Sequence, residues 1–275
     1  MPAESAETVQ PRWRRSETVA GIVSFRLSSW AHYFDFLEAE VFERTSAPRH
    51  KYIWRGQRRS DWILNSSLDR LFASLTLSNS PDLEKLTAQH LESFQYAARG
   101  RRGLNPAKLL EDDMWALGQH FGLATPLLDW TRSPFAAAYF AFEERDDNPT
   151  EYRVVWGLDQ YAIKQRSDEL QEQESYEKGR PPVIDFIDPM LDENQRLVSQ
   201  GGLFTRSPVG VSIDQWVQSA FANSAGAVLI RIEIPNTDRL MCLRTLDRMN
   251  INHLSLFPDL SGASRFTNLK LELEQ

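Results

Sequence analysis

The sequence has a single cysteine, Cys242. No intrachain disulfide can form and no cysteine cluster is there to hold a metal, so the expected compartment is the reducing cytoplasm. No apolar run approaches the roughly 20 residues of a membrane-spanning helix, so no membrane role is expected. Met1 to Pro11 is acidic and polar, without the apolar core of a signal peptide. A cationic excess is missing too. The chain has 31 Lys and Arg against 38 Asp and Glu, a net charge of -7. That excludes a general nucleic-acid coat protein, which needs a cationic field, and leaves room only for a local basic patch. There is no Gly-rich phosphate loop, no GxGxxG fingerprint and no GxSxG elbow. The five histidines, at 32, 50, 90, 120 and 253, form no HExxH motif, so no metal centre is expected. Enzyme chemistry here would have to come from carboxylates, hydroxyls, amides, arginines and His120.

What is present describes a folded domain. The 275 residues are 41% hydrophobic and 25% charged, enough to bury a substantial core. Eight Trp and fifteen Phe exclude a disordered chain. Residues 1–20 read as a flexible arm, 21–145 as a core, and 146–275 as a C-terminal part completing the same cleft. Ser29 precedes an amphipathic helix through Trp30, Tyr33, Phe34, Leu37 and Val41. Lys51 to Gly56 reads as a buried strand. Helices are predicted from Pro81 to Arg99, from Pro106 to Phe121, and from Phe135, the last apolar nearly all round and so buried. Tyr152–Leu158 and Ala227–Ile234 read as strands, Tyr161–Gly179 as an exposed helix or loop, and Leu271 and Leu273 as a last short strand. Helices and strands alternate without a βαβ rhythm, which predicts the α+β class.

Four stretches carry more polar groups in aromatic surroundings than a plain core needs. The first is Trp54-Arg55-Gly56-Gln57 with Asp61-Trp62. An Arg at the end of a buried strand needs an anion, and its planar fork suits a phosphate or carboxylate. That anion could equally be internal, Asp61 or Asp129. Gly56 would let backbone or ligand approach closely. The second runs from Gln119-His120-Phe121-Gly122 through Thr125 to Leu128-Asp129-Trp130-Thr131-Arg132-Ser133. Capping by Thr131 or Ser133 explains part of it. The third, Asn194 to Thr205, has tandem glycines beside Gln200, which suit a ligand or a helix end. The fourth, Ser255 to Gly262, reads as ordinary turn chemistry.

As a set these stretches resemble the FRG-domain family, named for an aromatic-Arg-Gly signature, over roughly residues 50 to 262. The departure is Trp54, where the family name has Phe. The family comes from bacteria, phages and mobile elements. A second resemblance, to ADP-ribosyltransferases, rests on Trp54-Arg55-Gly56 and Thr131-Arg132-Ser133-Pro134 with Ala138-Tyr139-Phe140. It implies a split sheet with surrounding helices and NAD bound as substrate in a cleft. The activity implied is ADP-ribose transfer or NAD glycohydrolysis, with a protein or nucleic-acid acceptor and a toxin-like or phage-defence role. On this resemblance Arg55 and Gly56 would hold the nucleotide phosphates, Trp54 or Trp130 would pack on nicotinamide, and Thr131, Ser133 and His120 would complete the binding face. The late catalytic Glu of those enzymes has no clear counterpart. Asp129 or Gln200 would face the ribose, and Glu233, read as a solvent-facing strand residue, is a third option. The alternatives are a non-catalytic nucleotide or nucleic-acid-end binding module, and a hydrolase or nuclease using Asp129, His120 and Asp259.

Overall fold

The computed structural model describes residues 11–42, 51–103, 106–173, 180–188 and 201–274. Eight strands form one sheet: β1 (Trp13–Arg15), β2 (Ile22–Leu27), β3 (Tyr52–Gln57), β4 (Leu127–Thr131), β5 (Tyr152–Asp159), β6 (Asp185–Ile187), β7 (Gly202–Arg206) and β8 (Leu229–Pro235). Their order is β1-β2-β8-β5-β3-β4-β7-β6. The β2–β8 pair is parallel and the other pairs are antiparallel. With helices packed around this sheet, the fold is α+β, as predicted.

The sheet is nearly parted in its middle. β3 runs the full length of β5, from Tyr52↔Asp159 to Gln57↔Val154. It meets β4 at one pair alone, Trp54↔Thr131. Two blocks of strands thus diverge beyond Trp54, one built on β3, β5, β8, β2 and β1, the other on β4, β7 and β6.

The helices follow from apolar spacing. α1 (Tyr33–Phe36) opens after Ser29 and a 3-10 turn, and the chain continues as a π-turn over Leu37–Phe42. α2 (Ser67–Ser74), α3 (Leu83–Ala97) and α4 (Glu111–His120) build a core of their own around Leu68, Leu91 and Trp115 against Leu127 and Phe204. α5 (Pro134–Phe142), capped by Ser133, lies on β3. Its run of Ala136, Ala137, Ala138 and Ala141 keeps the helix surface low. Gly56 completes the fit, because a Cβ there would lie 1.9 Å from the Ala137 carbonyl oxygen. α6 (Gln160–Gln173), α7 (Ile213–Ala220), α8 (Arg239–Arg248), α9 (His253–Leu256) and α10 (Leu260–Leu273) complete the chain. No helix among the described residues is long and apolar enough to cross a membrane.

Several expectations need correction. Trp13 to Arg15 is an edge strand, with Trp13 edge-on to Phe36 at 5.6 Å, so that part of the N-terminal arm is in the fold. Leu271 and Leu273 belong to α10. A short strand is expected there, yet Leu269 is buried and Leu271, two residues on, is 65% exposed, the outcome of a helical period. The helix expected from Pro106 begins at Glu111. Glu233 does not face solvent. It is 5% exposed on an internal strand, in ion pairs with Arg26 at 2.7 Å and with Arg231.

Candidate functional site

At the Arg55 end of β3 a cleft of about 490 Å³ opens, lined by residues from Arg55 to Glu144. β3 supplies Arg55 and Gly56, the loop after it Arg58, Asp61 and Trp62, α2 Arg70, and the end of α5 Phe140 with Glu143 and Glu144. The C-terminal half completes the sheet beneath; this lining comes from residues 55–144 alone.

Arg55 is held across the parting of the sheet. Continuing the register from Trp54↔Thr131 would set Gly56 opposite Asp129. That pairing does not form, and NH1 of Arg55 donates instead to the Asp129 carbonyl oxygen at 2.8 Å. The Asp129 carboxylate lies 3.7 Å from the same nitrogen. Nε of Arg55 is buried without a hydrogen-bond partner among the described residues. Burial pulls the guanidinium pKa below its ordinary value; the Asp129 charge opposes this and Arg70 reinforces it. Arg55 remains cationic, with an unmet donor in a partly enclosed place.

The other cations of the cleft differ in their pairing. Arg58 forms an ion pair with Glu144 and lies over the Trp62 ring at 5.2 Å. Arg59, next in the loop, takes Asp61 at 2.6 Å. Arg70 bonds a backbone carbonyl, that of Asn65, at 2.7 Å. Among the described residues its guanidinium thus bonds a neutral group, so an anion in the cleft would gain from both Arg70 and Arg55. Trp62 is 42% exposed and offers an aromatic face.

The residues singled out by sequence divide sharply. Gln57 is buried; its amide donates to the Ile63 carbonyl at 3.1 Å and accepts from the Trp156 indole at 2.8 Å, fixing the loop that carries Arg58 and Trp62. Gln119 latches the second stretch. It donates to the Asp129 carboxylate at 2.7 Å and accepts from the Thr125 hydroxyl. Asp129 itself, with 62% of its side chain exposed, stands at the rim beside Arg55. Arg55, Gly56 and Asp129 are therefore brought together.

The rest go elsewhere. Trp54 is 2% exposed and packs over Gly157, where a Cβ would come within 2.7 Å of its ring. Trp130 is 3% exposed and donates its indole N–H to Thr205 at 2.8 Å. Neither ring has an open face for nicotinamide. Thr131 is buried, with its hydroxyl accepting from the Ser133 amide at 3.1 Å. Ser133 caps α5 by accepting from the Ala136 amide at 3.2 Å. His120 ends α4, half-buried and edge-on to Phe121 at 4.9 Å, and does not line the cleft. Gly56 serves the close approach of α5 as well as the cleft wall. Gln200 lies outside the described residues.

Sequence reasoning missed what holds the far wall. Arg153 of β5 is 1% exposed and donates to the carbonyls of Ala141 at 2.6 Å and Glu144 at 2.8 Å, at the C-terminal end of α5. Arg239 donates to the Glu143 carbonyl at 2.7 Å. Two cations thus meet the unpaired carbonyls and negative dipole end of the helix that presents Glu143 and Glu144. Burial lowers the Arg153 pKa to about 10, which leaves it charged at neutral pH. The available signal was a lone charge inside an otherwise apolar strand.

No curated protein and no solved structure matches the chain. The family model described as FRG domain matches residues 50–150. That segment contains every residue lining the cleft, the Gln119 latch and all of α5. Over residues 50–150 the chain is similar in sequence to the FRG domain.

Proposed function

We propose that the Arg55 cleft binds the phosphates of a nucleotide, with NAD as substrate, and that the chemistry is cleavage of its nicotinamide–ribose bond. One observation carries the reading: a sequestered guanidinium with an unpaired Nε faces a cleft that also holds Arg70 and the exposed ring of Trp62. Anion and base would be met by different chemistry, the phosphates by Arg55 and Arg70, the base by Trp62. The volume of about 490 Å³ suits a small ligand. Breaking the bond leaves positive charge on the ribose, which an ionised carboxylate in the cleft would stabilise. The ADP-ribose would pass to water or to an acceptor on protein or nucleic acid. Such an activity would suit a toxin-like or phage-defence role in a bacterial cytoplasm.

A second reading, nucleotide recognition without turnover, is favoured by the state of Asp129, whose carboxylate is engaged by Gln119 and Arg55. Incubation of the pure protein with NAD separates the two. Release of free nicotinamide supports the enzyme. Saturable binding of NAD with no nicotinamide released supports the binding module, and no binding rejects both.

A further inference from the structure

Behind the α5 wall of the cleft lies a buried chain of three side chains. The Tyr139 hydroxyl is 2.5 Å from Nδ1 of His253, and Nε2 of His253 is 2.9 Å from Oε2 of Glu143. The His253 and Glu143 side chains are 6% and 12% exposed. Tyr139 is 1% exposed. The His253–Glu143 approach is an ion-pair distance off the line of a hydrogen bond, and neither atom has a hydrogen-bond partner among the described residues. Phe257 stacks on the His253 ring at 5.0 Å and meets Phe140 edge-on at 6.1 Å. Phe140 and Glu143 both line the cleft.

An apolar wall needs no such chain. Burying a phenol, an imidazole and a carboxylate costs free energy unless each is matched. The matching here is directional. Burial holds the Tyr139 pKa well above the ordinary phenol value, and the nearby Glu143 charge adds to this, so the hydroxyl keeps its proton. With the phenol donating to Nδ1, the ring proton sits on Nε2, 2.9 Å from the Glu143 carboxylate but off the line of a hydrogen bond. The imidazole thus packs against one carboxylate oxygen from behind while the residue itself lines the cleft. The end of α5 that carries it is clamped by Arg153 and Arg239.

We propose that Glu143 is the proton-accepting group of the Arg55 cleft, and that His253 and Tyr139 are positioning residues that hold its carboxylate. The assignment rests on the reading of the cleft as a site of NAD cleavage. The C1′–N bond breaks and its electron pair leaves with nicotinamide, which departs neutral. A new C1′–O bond forms from water or an acceptor hydroxyl. The proton of that oxygen passes to Glu143 and then to solvent. The groups around Glu143 are the His253 imidazole behind it and the charged Arg239 from α8, Glu144 beside it, and Arg55, Arg58 and Arg70 across the cleft. Asp247 also acts on Tyr139.

The test measures two quantities on the full chain: ADP-ribose affinity by calorimetry, and nicotinamide release from NAD across pH. Glu143→Gln is expected to bind ADP-ribose within about threefold of wild type, to lose turnover by about 10²–10⁴, and to lose the ascending limb of its pH–rate profile. Tyr139→Phe, which keeps the ring in place, is expected to lower kcat by about tenfold and shift that limb, with KM unchanged. Wild-type turnover and pH profile in Glu143→Gln would overturn the assignment. So would loss of turnover that only follows loss of ADP-ribose affinity. A wild-type protein that binds ADP-ribose and releases no nicotinamide at any pH overturns the role of Glu143 and leaves the nucleotide site standing. One that binds no ADP-ribose overturns both.

Discussion

NH1 of Arg55 donates to the backbone carbonyl of Asp129 at 2.8 Å, in the place where a strand ladder would otherwise continue. A side chain thus bridges the parting between two blocks of the sheet, and the cleft opens beside it. The guanidinium has one hand on the scaffold and an unpaired Nε. Arg102 and Arg239 also have an unpaired Nε among the described residues; what sets Arg55 apart is its place in the lining of the cleft.

The Asp129 carboxylate is exposed and shared with Gln119, so its pairing with Arg55 adds little to stability. Asp129→Asn is expected to lower stability by less than about 1 kcal/mol. It is also expected to weaken NAD binding a few-fold by loosening Arg55. Denaturant melts and calorimetry check this. A hundredfold loss of turnover at unchanged affinity would instead give Asp129 the charge-stabilising role.

Gly56→Ala tests the packing beneath the site. Its Cβ would meet the Ala137 carbonyl oxygen at 1.9 Å and the Ala141 amide at 2.5 Å, both backbone atoms. Strand and helix would have to separate, at a cost of about 1–3 kcal/mol or more. A urea midpoint equal to wild type would contradict the contact.

Trp62→Ala tests the base platform. Trp62 is exposed, and loss of its ring is expected to leave the melting temperature within a few degrees of wild type. Stacking of a base on an aromatic is worth about 1–3 kcal/mol, so nucleotide affinity should fall roughly tenfold or more. Unchanged affinity would move the base elsewhere in the cleft.

Alkaline pH should destabilise the fold. Burial raises the pKa of Cys242 above its ordinary 9.0, and those of Tyr33 and Tyr139 above 10.0. Their unfolded forms release protons that the folded forms retain. Stability is therefore complete below about pH 9 and is lost above it, at about 1.4 kcal/mol per pH unit for each group past its unfolded value. Arg153, lowered to about 10, opposes this only from that pH upward. Melting temperatures from pH 7 to about 10.5 should fall, and the fall should be shallower in Tyr33→Phe.

Much of this architecture was legible because local rules and tertiary structure agree. Ser133-Pro134 before an all-apolar run announced α5, and alternation announced β8. The Leu271-Leu273 pair misled because two alternating apolar residues are too few to separate a strand from a helix, in which they lie on opposite sides. Of the site, Arg55 was legible as a cation near the end of a buried strand and Asp129 as an acid between Leu128 and Trp130, though its polar neighbours suggest a turn and it lies in the middle of β4. Trp54 and Trp130 were not separable from ligand-facing aromatics, because burial depends on strands that pair far along the chain. Glu143 and His253 lie 110 positions apart and meet only through α5 and α9. No spacing rule reaches that far, and each alone reads as a surface acid and a lone histidine.

The central claim is that Arg55 holds nucleotide phosphate. Calorimetric titration of wild type and Arg55→Ala with ADP-ribose, alongside their melting curves, tests it most directly. The account predicts saturable binding to the wild type, and a loss of about a hundredfold or more in Arg55→Ala with a melting temperature only a few degrees lower. Arg55→Lys should recover little, since an ammonium lacks the planar fork. Equal affinity in wild type and Arg55→Ala, or an Arg55→Ala chain that is unfolded at room temperature, would contradict it.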